Sequence, residues 1–494
     1  MLTSLDPLVA LAKRRGFFFQ TADIYGGASG LFDYGPLGVE MANNIKQLWW
    51  RRFVQQRDDM VGVDAAILTP AAVLKASGHV DSFSDPLVEC NNCHIRLRAD
   101  HFLDEESVDF WIQRWVDEAT KLRGGTSKKD GESATDAAQK IFDFSNPAQV
   151  VLRAGVTHRD LVCPNPECRK QDYGEPRQFN MMFQTFLGAV QDAGSVAYLR
   201  PETAQGIFTN FKNVLDTSRQ KLPFGIAQIG KAFRNEITVG NSLFRVRELE
   251  QMEIEYFVKP GTDEAFHDEW IEAWEAFVVK DLGIRKENLR RYEHSKEKLS
   301  HYSKRTVDLE YNYPFGGYAE LNGIANRTDF DLRQHQEASG KDLTYFDEET
   351  RERYIPYVIE PTMGVGRTLL MALIDGYEEF PNGRDGQGSE VETVLHLSAN
   401  IAPVRVAVLP LMKKDGLAEK AREVNSLLRE QFVTQYDEGG AIGRRYRRQD
   451  EIGTPHCVTI DYTSLEDGTV TVRERDSMAQ ERVAITELKQ FIAR

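Results

Sequence analysis

The sequence predicts an α+β protein built from more than one domain. Its 494 residues exceed what a single hydrophobic core normally supports, so two or three domains are expected. Strand-like segments cover Phe233 to Glu236, Leu243 to Phe257 and Tyr354 to Glu360, and the apolar run Thr368 to Ile374 is typical of a helix. Both kinds of element are therefore expected in the first 390 residues.

The C-terminal part alternates between strand and helix patterns. The segment Pro381 to Glu390 has the composition of an exposed loop and separates this part from the rest. Beyond it the expected order is strand, helix, strand, strand, helix, at Val404 to Leu411, Leu417 to Phe432, His456 to Tyr462, Thr469 to Arg475 and Val483 to Ala493. This alternation over residues 400–494 indicates a small α/β domain.

Composition and charge are those of a cytosolic enzyme. Hydrophobic residues make up 41% and charged residues 28% of the chain. No run of 18 apolar residues exists, and Lys13, Arg14 and Arg15 follow the first apolar stretch instead of preceding it, so neither a membrane span nor a secretory signal is expected. Residues 401–494 carry 15 basic and 15 acidic side chains, so the whole net charge of −15 lies in residues 1–400. A neutral domain with an arginine cluster can bind an RNA loop while the acidic body repels other polyanions.

Arginines and carboxylates recur along two of the strand-like segments. Arg234 and Glu236 are two residues apart, which on a strand places both side chains on one face, and Arg245 and Arg247 repeat that spacing. A single such pair is more often a surface ion pair. Several guanidinium groups beside carboxylates, however, suit a phosphate and its Mg²⁺ ion together. The pattern predicts a nucleoside triphosphate site.

A glycine-rich turn supports this interpretation. In the segment EPTMGVGR, Gly364 and Gly366 allow close backbone approach, and Arg367 falls in the first turn of the helix expected to follow. The backbone N–H groups and dipole of a helix favour an anion at that position.

Together these segments resemble the second and third signature motifs of class II aminoacyl-tRNA synthetases. Gly38 to Gln56, followed by VDAAILTP ending at Pro70, is similar to the helix and strand of the first motif, which lies at that class's dimer interface. Tyr25 to Asn44, Arg200 to Phe211 and Gly443 to Pro455 are similar in particular to glycyl-tRNA synthetases of the single-chain, homodimeric type.

The resemblance implies a domain plan. It places an antiparallel-sheet catalytic domain in residues 1–390, with the three motifs at about 38–70, 224–257 and 354–376. An inserted module is expected at about 80–175, with the polar loop Gly124 to Ala134 at its tip. The C-terminal α/β domain, 400–494, would bind the anticodon.

The resemblance also implies an activity and its site. Glycine, ATP and tRNA(Gly) would be the substrates, Mg²⁺ the cofactor, and the chain a homodimer. Arg234, Glu236 and Arg367 match the catalytic positions, with Arg234 at the α-phosphate, Arg367 at the γ-phosphate and Glu236 at the adenine amino group. The implied ATP-binding residues are Arg234, Asn235, Glu236, Phe244, Arg245, Val246, Arg247, Glu248, Leu249, Glu320, Leu321, Gly364, Val365, Gly366 and Arg367. The implied glycine-binding residues are Arg98, Glu202, Leu249, Glu250, Gln251, Met252, Glu253, Glu360, Pro361, Thr362, Met363 and Gly364.

Two alternatives to this activity remain. A class II synthetase for another amino acid would need a larger polar pocket, and the YGG, DYGPLG and RPETAQG segments argue against it. A non-catalytic nucleic-acid-binding paralogue should have lost motif residues, whereas Arg234, Glu236 and Arg367 are all present.

Four cysteines form two pairs in the expected inserted module. Cys90 and Cys93 have the spacing C-x₂-C, and Cys163 and Cys168 the spacing C-x₄-C. Paired cysteines in loops rich in Asn and Pro suit a structural tetrahedral Zn²⁺ site, although two unrelated pairs of free thiols remain an alternative. Disulfides are disfavoured in a reducing cytosol.

Some conspicuous side chains are expected to be structural. Trp270, Trp274 and Phe277 follow one face of a helix and are predicted to belong to the core. For the four arginines between Gly443 and Arg448, fold support and contact with tRNA are equally open interpretations.

Overall fold

The computed structural model describes residues 2–98, 163–170, 172–174, 177–192, 194–296, 299–300, 302–384, 386 and 390–493. Most of the expected inserted module, including Gly124 to Ala134, therefore lies outside the described residues. No helix within the described ranges is long and apolar enough to cross a membrane.

The helices and strands are numbered in chain order over the described residues. The helices are α1 (Asp6–Arg15), α2 (Pro36–Trp50), α3 (Ala71–Ala76), α4 (His79–Ser82), α5 (Ala204–Ser218), α6 (Asp263–Ala276), α7 (Phe330–Ser339), α8 (Val365–Gly376), α9 (Leu417–Arg429), α10 (Ile442–Asp450), α11 (Tyr462–Asp467) and α12 (Leu488–Ala493). The strands up to the middle of the chain are β1 (Phe18–Gln20), β2 (Phe32–Tyr34), β3 (Met60–Gly62), β4 (Leu68–Pro70), β5 (Ser84–Glu89), β6 (Arg96–Arg98), β7 (Arg177–Asn180), β8 (Gln184–Phe186), β9 (Val196–Leu199), β10 (Phe224–Phe233), β11 (Glu248–Val258) and β12 (Leu289–Glu293). The remaining strands are β13 (Arg305–Tyr313), β14 (Gly317–Thr328), β15 (Tyr345–Phe346), β16 (Arg353–Tyr354), β17 (Tyr357–Gly364), β18 (Tyr377–Phe380), β19 (Glu392–Leu395), β20 (Val406–Pro410), β21 (Thr434–Tyr436), β22 (His456–Ile460), β23 (Thr469–Glu474) and β24 (Gln480–Ala484).

A seven-stranded sheet in the order β12-β13-β14-β17-β11-β10-β3 forms the centre of the first part of the chain. Its strands pair antiparallel except for β3, which runs parallel to β10. Thr362 on β17 lies opposite Glu253 on β11 and Gly323 on β14, whereas the next residue, Met363, lies opposite Met252 and Asn322. Since side chains alternate between the faces of a sheet, Thr362 and Met363 belong to opposite faces.

The apolar face of this sheet is covered by helices. Met252 and Met363 join a buried cluster with side chains of α2, α6 and α8. Trp270 and Trp274 on α6 and the following Phe277 are at most 2% exposed, which confirms that this stripe is core. On the opposite face, α5 packs against Phe257 and Val358, while the part that carries Thr362 borders a cavity.

The C-terminal part contains a five-stranded sheet in the order β21-β20-β22-β23-β24. Strands β21, β20 and β22 run parallel to one another, β23 is antiparallel to β22, and β24 is antiparallel to β23. The prediction of a final helix from Val483 is wrong at its start. Val483 lies in β24 opposite Val470, where its side chain is buried, and α12 begins only at Leu488.

The strand geometry predicted for the motif arginines is also wrong. Strands β10 and β11 form a hairpin that closes at Phe233 opposite Glu248, so residues 234–247 make the connection between them. Asn241 and Ser242 have positive φ angles within this connection. In the third motif, by contrast, Glu360 to Gly364 belong to strand β17 and not to a turn, and Gly364 caps α8.

Candidate active site

A cavity of about 760 Å³ opens on the polar face of the seven-stranded sheet. Its volume is in the range of sites that hold small molecules. Of the residues implied for ATP, the cavity is lined by Arg234, Glu236, Phe244, Arg245, Val246, Glu248, Leu249, Glu320, Leu321, Gly364, Gly366 and Arg367. Of those implied for glycine, it is lined by Arg98, Leu249, Glu250, Gln251, Thr362, Met363 and Gly364.

Two arginines from different elements meet at this cavity. Arg234 follows the end of β10, and its Nε donates to the carbonyl of Pro201 at 3.0 Å. Arg367 lies in the first turn of α8, and its Nη1 is 3.0 Å from the carbonyl oxygen and 3.1 Å from the carboxylate of Glu320. The Arg367 guanidinium also stacks over Phe244 at 4.7 Å. Each guanidinium is thus oriented before any ligand binds.

Glu320 is the carboxylate that pairs with Arg367. The charge of Arg367, with a contribution from Arg234, holds the pKa of Glu320 below its usual value. An ionised carboxylate beside two guanidinium groups can take part in binding a cation that accompanies a phosphate chain.

The remaining implied ATP residues have other positions. The backbone N–H of Asn235 donates to the carbonyl of Met181 at 2.7 Å. The Arg247 side chain donates to the carbonyls of Ser29 and Glu236, which fastens the connection between β10 and β11 to the N-terminal segment. Val365 is fully buried in the apolar core. These three residues do not line the cavity.

The implied glycine residues that lie outside the cavity lining are Glu202, Met252, Glu253, Glu360 and Pro361. Met252 packs in the apolar core on the other face of the sheet. The carboxylates, however, form a buried group next to Thr362, which does line the cavity and lies opposite Glu253 in the pairing of β11 with β17. Arg327 is the cation of this group and pairs with Glu360 and Asp331.

This buried group has more carboxylates than cations. Oxygens of Glu253, Glu255 and Glu360 lie within 4.8 Å of one another. Burial raises the pKa of Glu360 to about 8, with Glu253 and Glu202 adding to the effect and Arg327 opposing it. Burial likewise raises the pKa of Glu253 and Glu255. Burial would also raise the pKa of Glu202, but His79 and Arg327 outweigh it and hold that pKa below its usual value. Such a region attracts a small cationic group.

Sequence reasoning missed several residues of the cavity lining. They are Thr21, Leu31, Phe32, Asp33, Tyr34, Lys46, Met181, Lys231, Leu243 and Asn322. The segment DYGPLG contains Asp33 and Tyr34 and was conspicuous in the sequence, but nothing in its spacing showed that β2 reaches the cavity. Lys46 on α2 is 3.1 Å from Glu250, an ion pair across 204 residues that no local pattern indicates.

The four cysteines of the two pairs come together. The Sγ atoms of Cys90 and Cys168 are 3.7 Å apart, and those of Cys93 and Cys163 are 3.5 Å apart. All four lie within 4.8 Å of one another. A tetrahedral zinc site with Zn–S bonds of about 2.3 Å separates its sulfurs by roughly 3.8 Å, so the donor set and its spacing fit Zn²⁺.

Comparison with protein families identifies two regions. Residues 186–375 match the tRNA synthetase class II core domain (G, H, P, S and T), and residues 405–494 match an anticodon binding domain. A cavity with paired arginines on an antiparallel sheet, followed by this second domain, defines a class II synthetase.

Comparison with whole proteins identifies the family. The chain is 51% identical to glycine--tRNA ligase from Thermobifida fusca over 99% of its own length and 97% of that protein. It is 51% identical to glycine--tRNA ligase from Bifidobacterium longum over 99% of its length and 92% of that protein. The corresponding protein from Streptomyces coelicolor is 50% identical over 99% of the chain and 98% of the relative. The chain belongs to the glycine--tRNA ligase family. The resemblance found in the sequence and the α+β fold class are both confirmed.

Proposed function

We propose that this protein joins glycine to tRNA(Gly) in two steps through glycyl-adenylate. The observation that carries the proposal is the placement of Arg234, Arg367 and Glu320 around one cavity whose floor, at Thr362, adjoins the buried carboxylates. One end of the cavity suits a polyphosphate and the other an ammonium group. We also propose that the protein is located in the cytoplasm, where these substrates are found.

In the first step the glycine carboxylate attacks the α-phosphate of ATP and pyrophosphate leaves. Two anions approach each other, so the site must neutralise charge and align the reacting atoms. We assign Arg234 to the α-phosphate, where charge builds up, and Arg367 to the γ-phosphate. Glu236 accepts a hydrogen bond from the adenine amino group. Glu320 would hold Mg²⁺, which supplies further neutralisation of the phosphates when bound.

Glycine is selected by its charge and its small size. Its ammonium group is attracted to Glu202, Glu253 and Glu360, while Thr362 packs against the α-carbon. A methyl group there would overpack the site at a cost of roughly 1 to 3 kcal/mol, so alanine is rejected mainly by sterics. Met363 also borders the cavity, but it is 1% exposed and packs in the apolar core, so we assign the contact with the α-carbon to Thr362.

In the second step the terminal ribose hydroxyl of tRNA attacks the glycyl carbonyl and AMP leaves. The adenylate phosphate is itself a suitable acceptor for the hydroxyl proton, so no side chain needs to act as a nucleophile.

Glycine-dependent exchange of pyrophosphate into ATP tests the first step. Purified protein should catalyse this exchange with glycine and roughly 5- to 150-fold less with alanine, as the steric cost implies. Absence of exchange with glycine, or exchange that needs another amino acid, would contradict the proposal.

We further propose that the chain acts as a homodimer. Ile67 and Leu68 at strand β4 and Phe186 and Leu187 at strand β8 are 37 to 46% exposed on one three-stranded sheet. Several exposed apolar side chains in one small sheet are a feature of protein interfaces. Light scattering should give twice the mass of one chain, and Leu68→Glu should shift the protein toward the monomer. A wild-type monomer at micromolar concentration would contradict the dimer.

We also propose that Cys90, Cys93, Cys163 and Cys168 hold a structural Zn²⁺ ion. Four thiolates leave no open coordination position, so the metal would tie the two cysteine segments together and take no part in catalysis. Elemental analysis of protein purified without chelator should find about one zinc per chain. Four freely titrating thiols in native, metal-free protein would contradict the site.

A further inference from the structure

The four carboxylates grouped next to Thr362 do not ionise equally. Burial raises the pKa of Glu253, Glu255 and Glu360, which favours their neutral forms. The pKa of Glu202 is instead below its usual value, so Glu202 is the member of the group that ionises most readily. Within this group, the attraction for an ammonium group therefore depends mainly on Glu202.

Two side chains hold the Glu202 carboxylate, one at each oxygen. Gln205 on α5 donates from Nε2 to Oε1 of Glu202 at 2.9 Å. The other oxygen, Oε2, lies 3.4 Å from Nε2 of His79 on α4. The side chains of His79 and Glu202 are only 12% and 13% exposed. A pair that is largely shielded from water is screened less than a surface pair, so this contact has more effect on the charge of Glu202.

The His79 ring is oriented from its other nitrogen. Nδ1 lies 2.8 Å from the hydroxyl oxygen of Ser77, a buried residue that follows α3. The Ser77 hydroxyl also lies within hydrogen-bond distance of the carbonyl of Leu74, at 3.3 Å. A hydroxyl can donate or accept, whereas a carboxylate that is ionised can only accept. The hydrogen on Nε2 therefore faces Glu202 whether the ring is neutral or charged.

The segment that carries His79 also reaches the arginine assigned to the α-phosphate. The ring centroids of His79 and Phe83 are 5.4 Å apart, and the Arg234 guanidinium lies 5.7 Å from the centre of the Phe83 ring. A change at His79 can thus affect the site through Glu202 or through Arg234. The two routes differ in their kinetic effect, because weaker binding of glycine raises KM whereas a displaced Arg234 slows adenylate formation.

We propose that His79 is a positioning residue that keeps Glu202 ionised and oriented for the glycine ammonium group. The inference rests on the proposed function and adds to it a residue outside the signature motifs. His79 does not line the cavity and acts through Glu202. An N–H group that faces a carboxylate stabilises its ionised form and restricts its orientation. Both effects strengthen the binding of a small cationic substrate.

Replacement of His79 distinguishes the two routes. Glycine-dependent pyrophosphate exchange is measured on the full-length protein at varied glycine and at varied ATP. His79→Leu removes the N–H donor and should raise the KM for glycine roughly 10-fold, the lower end for a hydrogen bond to a charged group, because the contact is long. The rate at saturating glycine and the KM for ATP should stay near their wild-type values. His79→Gln retains a donor near the position of Nε2 and should recover most of the affinity for glycine.

A histidine that pairs with carboxylates elsewhere provides the control. His396 lies 3.1 Å from Glu378 and 2.6 Å from Asp476, and it does not line the cavity. His396→Gln should leave the KM for glycine, the KM for ATP and the maximal rate unchanged. Ser77→Ala removes the contact that orients the His79 ring and should raise the KM for glycine less than His79→Leu does. The Ser77 variant also tests the inference if His79→Leu does not fold.

A double variant tests whether His79 acts through Glu202. Glu202→Gln removes the charge that His79 supports, so His79→Leu in that background should change the KM for glycine by no more than about twofold. A full 10-fold effect in the double variant would overturn the inference. A folded His79→Leu protein with wild-type KM for glycine, or with a loss confined to the rate at saturating glycine, would also overturn it. Absence of exchange in the wild-type protein would contradict the proposed function instead.

Discussion

At the scale of single residues, the guanidinium of Arg234 is fixed at the cavity before substrate arrives. Its Nε bond to Pro201 and its position over Phe83 hold it in place, so stabilising a charged transition state requires little reorganisation. Arg234→Ala should slow glycine-dependent pyrophosphate exchange by on the order of 10² to 10³, the effect of removing one preorganised donor. The exposed Arg353→Ala serves as the control and should leave the rate unchanged. An Arg234→Ala enzyme with near wild-type exchange would contradict the assigned role.

Glu360 gives the site a pH dependence of defined sign. Burial raises the pKa of Glu360 to about 8, so below that pH the carboxyl is largely neutral and attracts the glycine ammonium group weakly. The KM for glycine should therefore fall as the pH rises from about 6 to about 8, by at most about tenfold per pH unit. The free energy of unfolding changes in the opposite direction from glycine affinity and falls as the pH rises. The unfolded carboxyl ionises near its usual value while the folded one keeps its proton, so the contribution of Glu360 to stability is lost as the pH rises through about 8.

A control separates this titration from general effects of pH. Glu360→Gln should bind glycine more weakly at high pH and lose most of the pH dependence of KM. Glu264→Gln, a change at a half-exposed carboxylate on α6, should keep the wild-type profile. A KM that is independent of pH in the wild-type protein would show that Glu360 does not govern glycine binding.

The sequence predicted which residues belong to the site where a motif contains them, but it did not predict how deeply those residues are buried. The motif spacing indicated that Arg234 and Arg367 serve one anion site, and the structure brings both to the same cavity. The spacing could not show that Glu253 and Glu360 lie behind Thr362. Their burial depends on how β11 and β17 pair, and that register is set by contacts over more than 100 residues.

At the scale of elements, helix α2 packs unusually close to the N-terminal segment. A Cβ at Gly38 would lie 1.8 Å from the carbonyl oxygen of Phe17, a backbone atom that cannot move alone. Gly38→Ala should therefore lower the free energy of unfolding by about 3 kcal/mol or more, at the upper end of overpacking. Gly443 in α10 is the matched control. A Cβ there meets nothing within 4 Å, so Gly443→Ala should be neutral or stabilise by up to about 1 kcal/mol. Equal stability of the two variants in chemical denaturation would contradict the close packing.

The existence of elements was easier to predict than their ends. Two strands were predicted at Phe233 to Glu236 and Leu243 to Phe257. The structure has two paired strands in this region, but β10 already ends at Phe233 and β11 begins only at Glu248, so the arginines fall in the connection between them. A prediction from local residue types continues a strand until it meets residues that are unfavourable in strands. In the structure, the last pair between β10 and β11 is Phe233 with Glu248. Contacts distant in sequence, such as the hydrogen bond from Arg247 to the carbonyl of Ser29, hold the connecting residues away from this pairing.

At the scale of the whole molecule, the predicted boundary near residue 400 does not divide the apolar core. Ile401, Ala402, Val404 and Ile452 belong to the same buried cluster as side chains of α2 and α8. Asn44 also donates to the carbonyl of Ala402 at 2.9 Å. Deleting residues 401–494 would therefore open the catalytic core, so a point variant is a better probe of how the two parts depend on each other.

Asp450 joins the two parts of the chain through buried ion pairs. Its side chain is 1% exposed and pairs with Arg384, which precedes the second domain, and with Arg473 on β23, both 6% exposed. Asp450→Ala removes the carboxylate that pairs with buried Arg473 and leaves Arg384 with Glu392, 2.7 Å away, as its carboxylate among the described residues. Breaking a buried pair typically costs about 3 to 5 kcal/mol. Hydrogen exchange should accelerate both in the segment around Arg384 and in β23, because one carboxylate holds them together. Glu423→Ala, which removes a surface pair with Lys420, should change stability by less than about 1 kcal/mol and leave exchange unaltered. Faster exchange in β23 alone would show that the segment around Arg384 is held independently, and the two parts would then unfold as separate units.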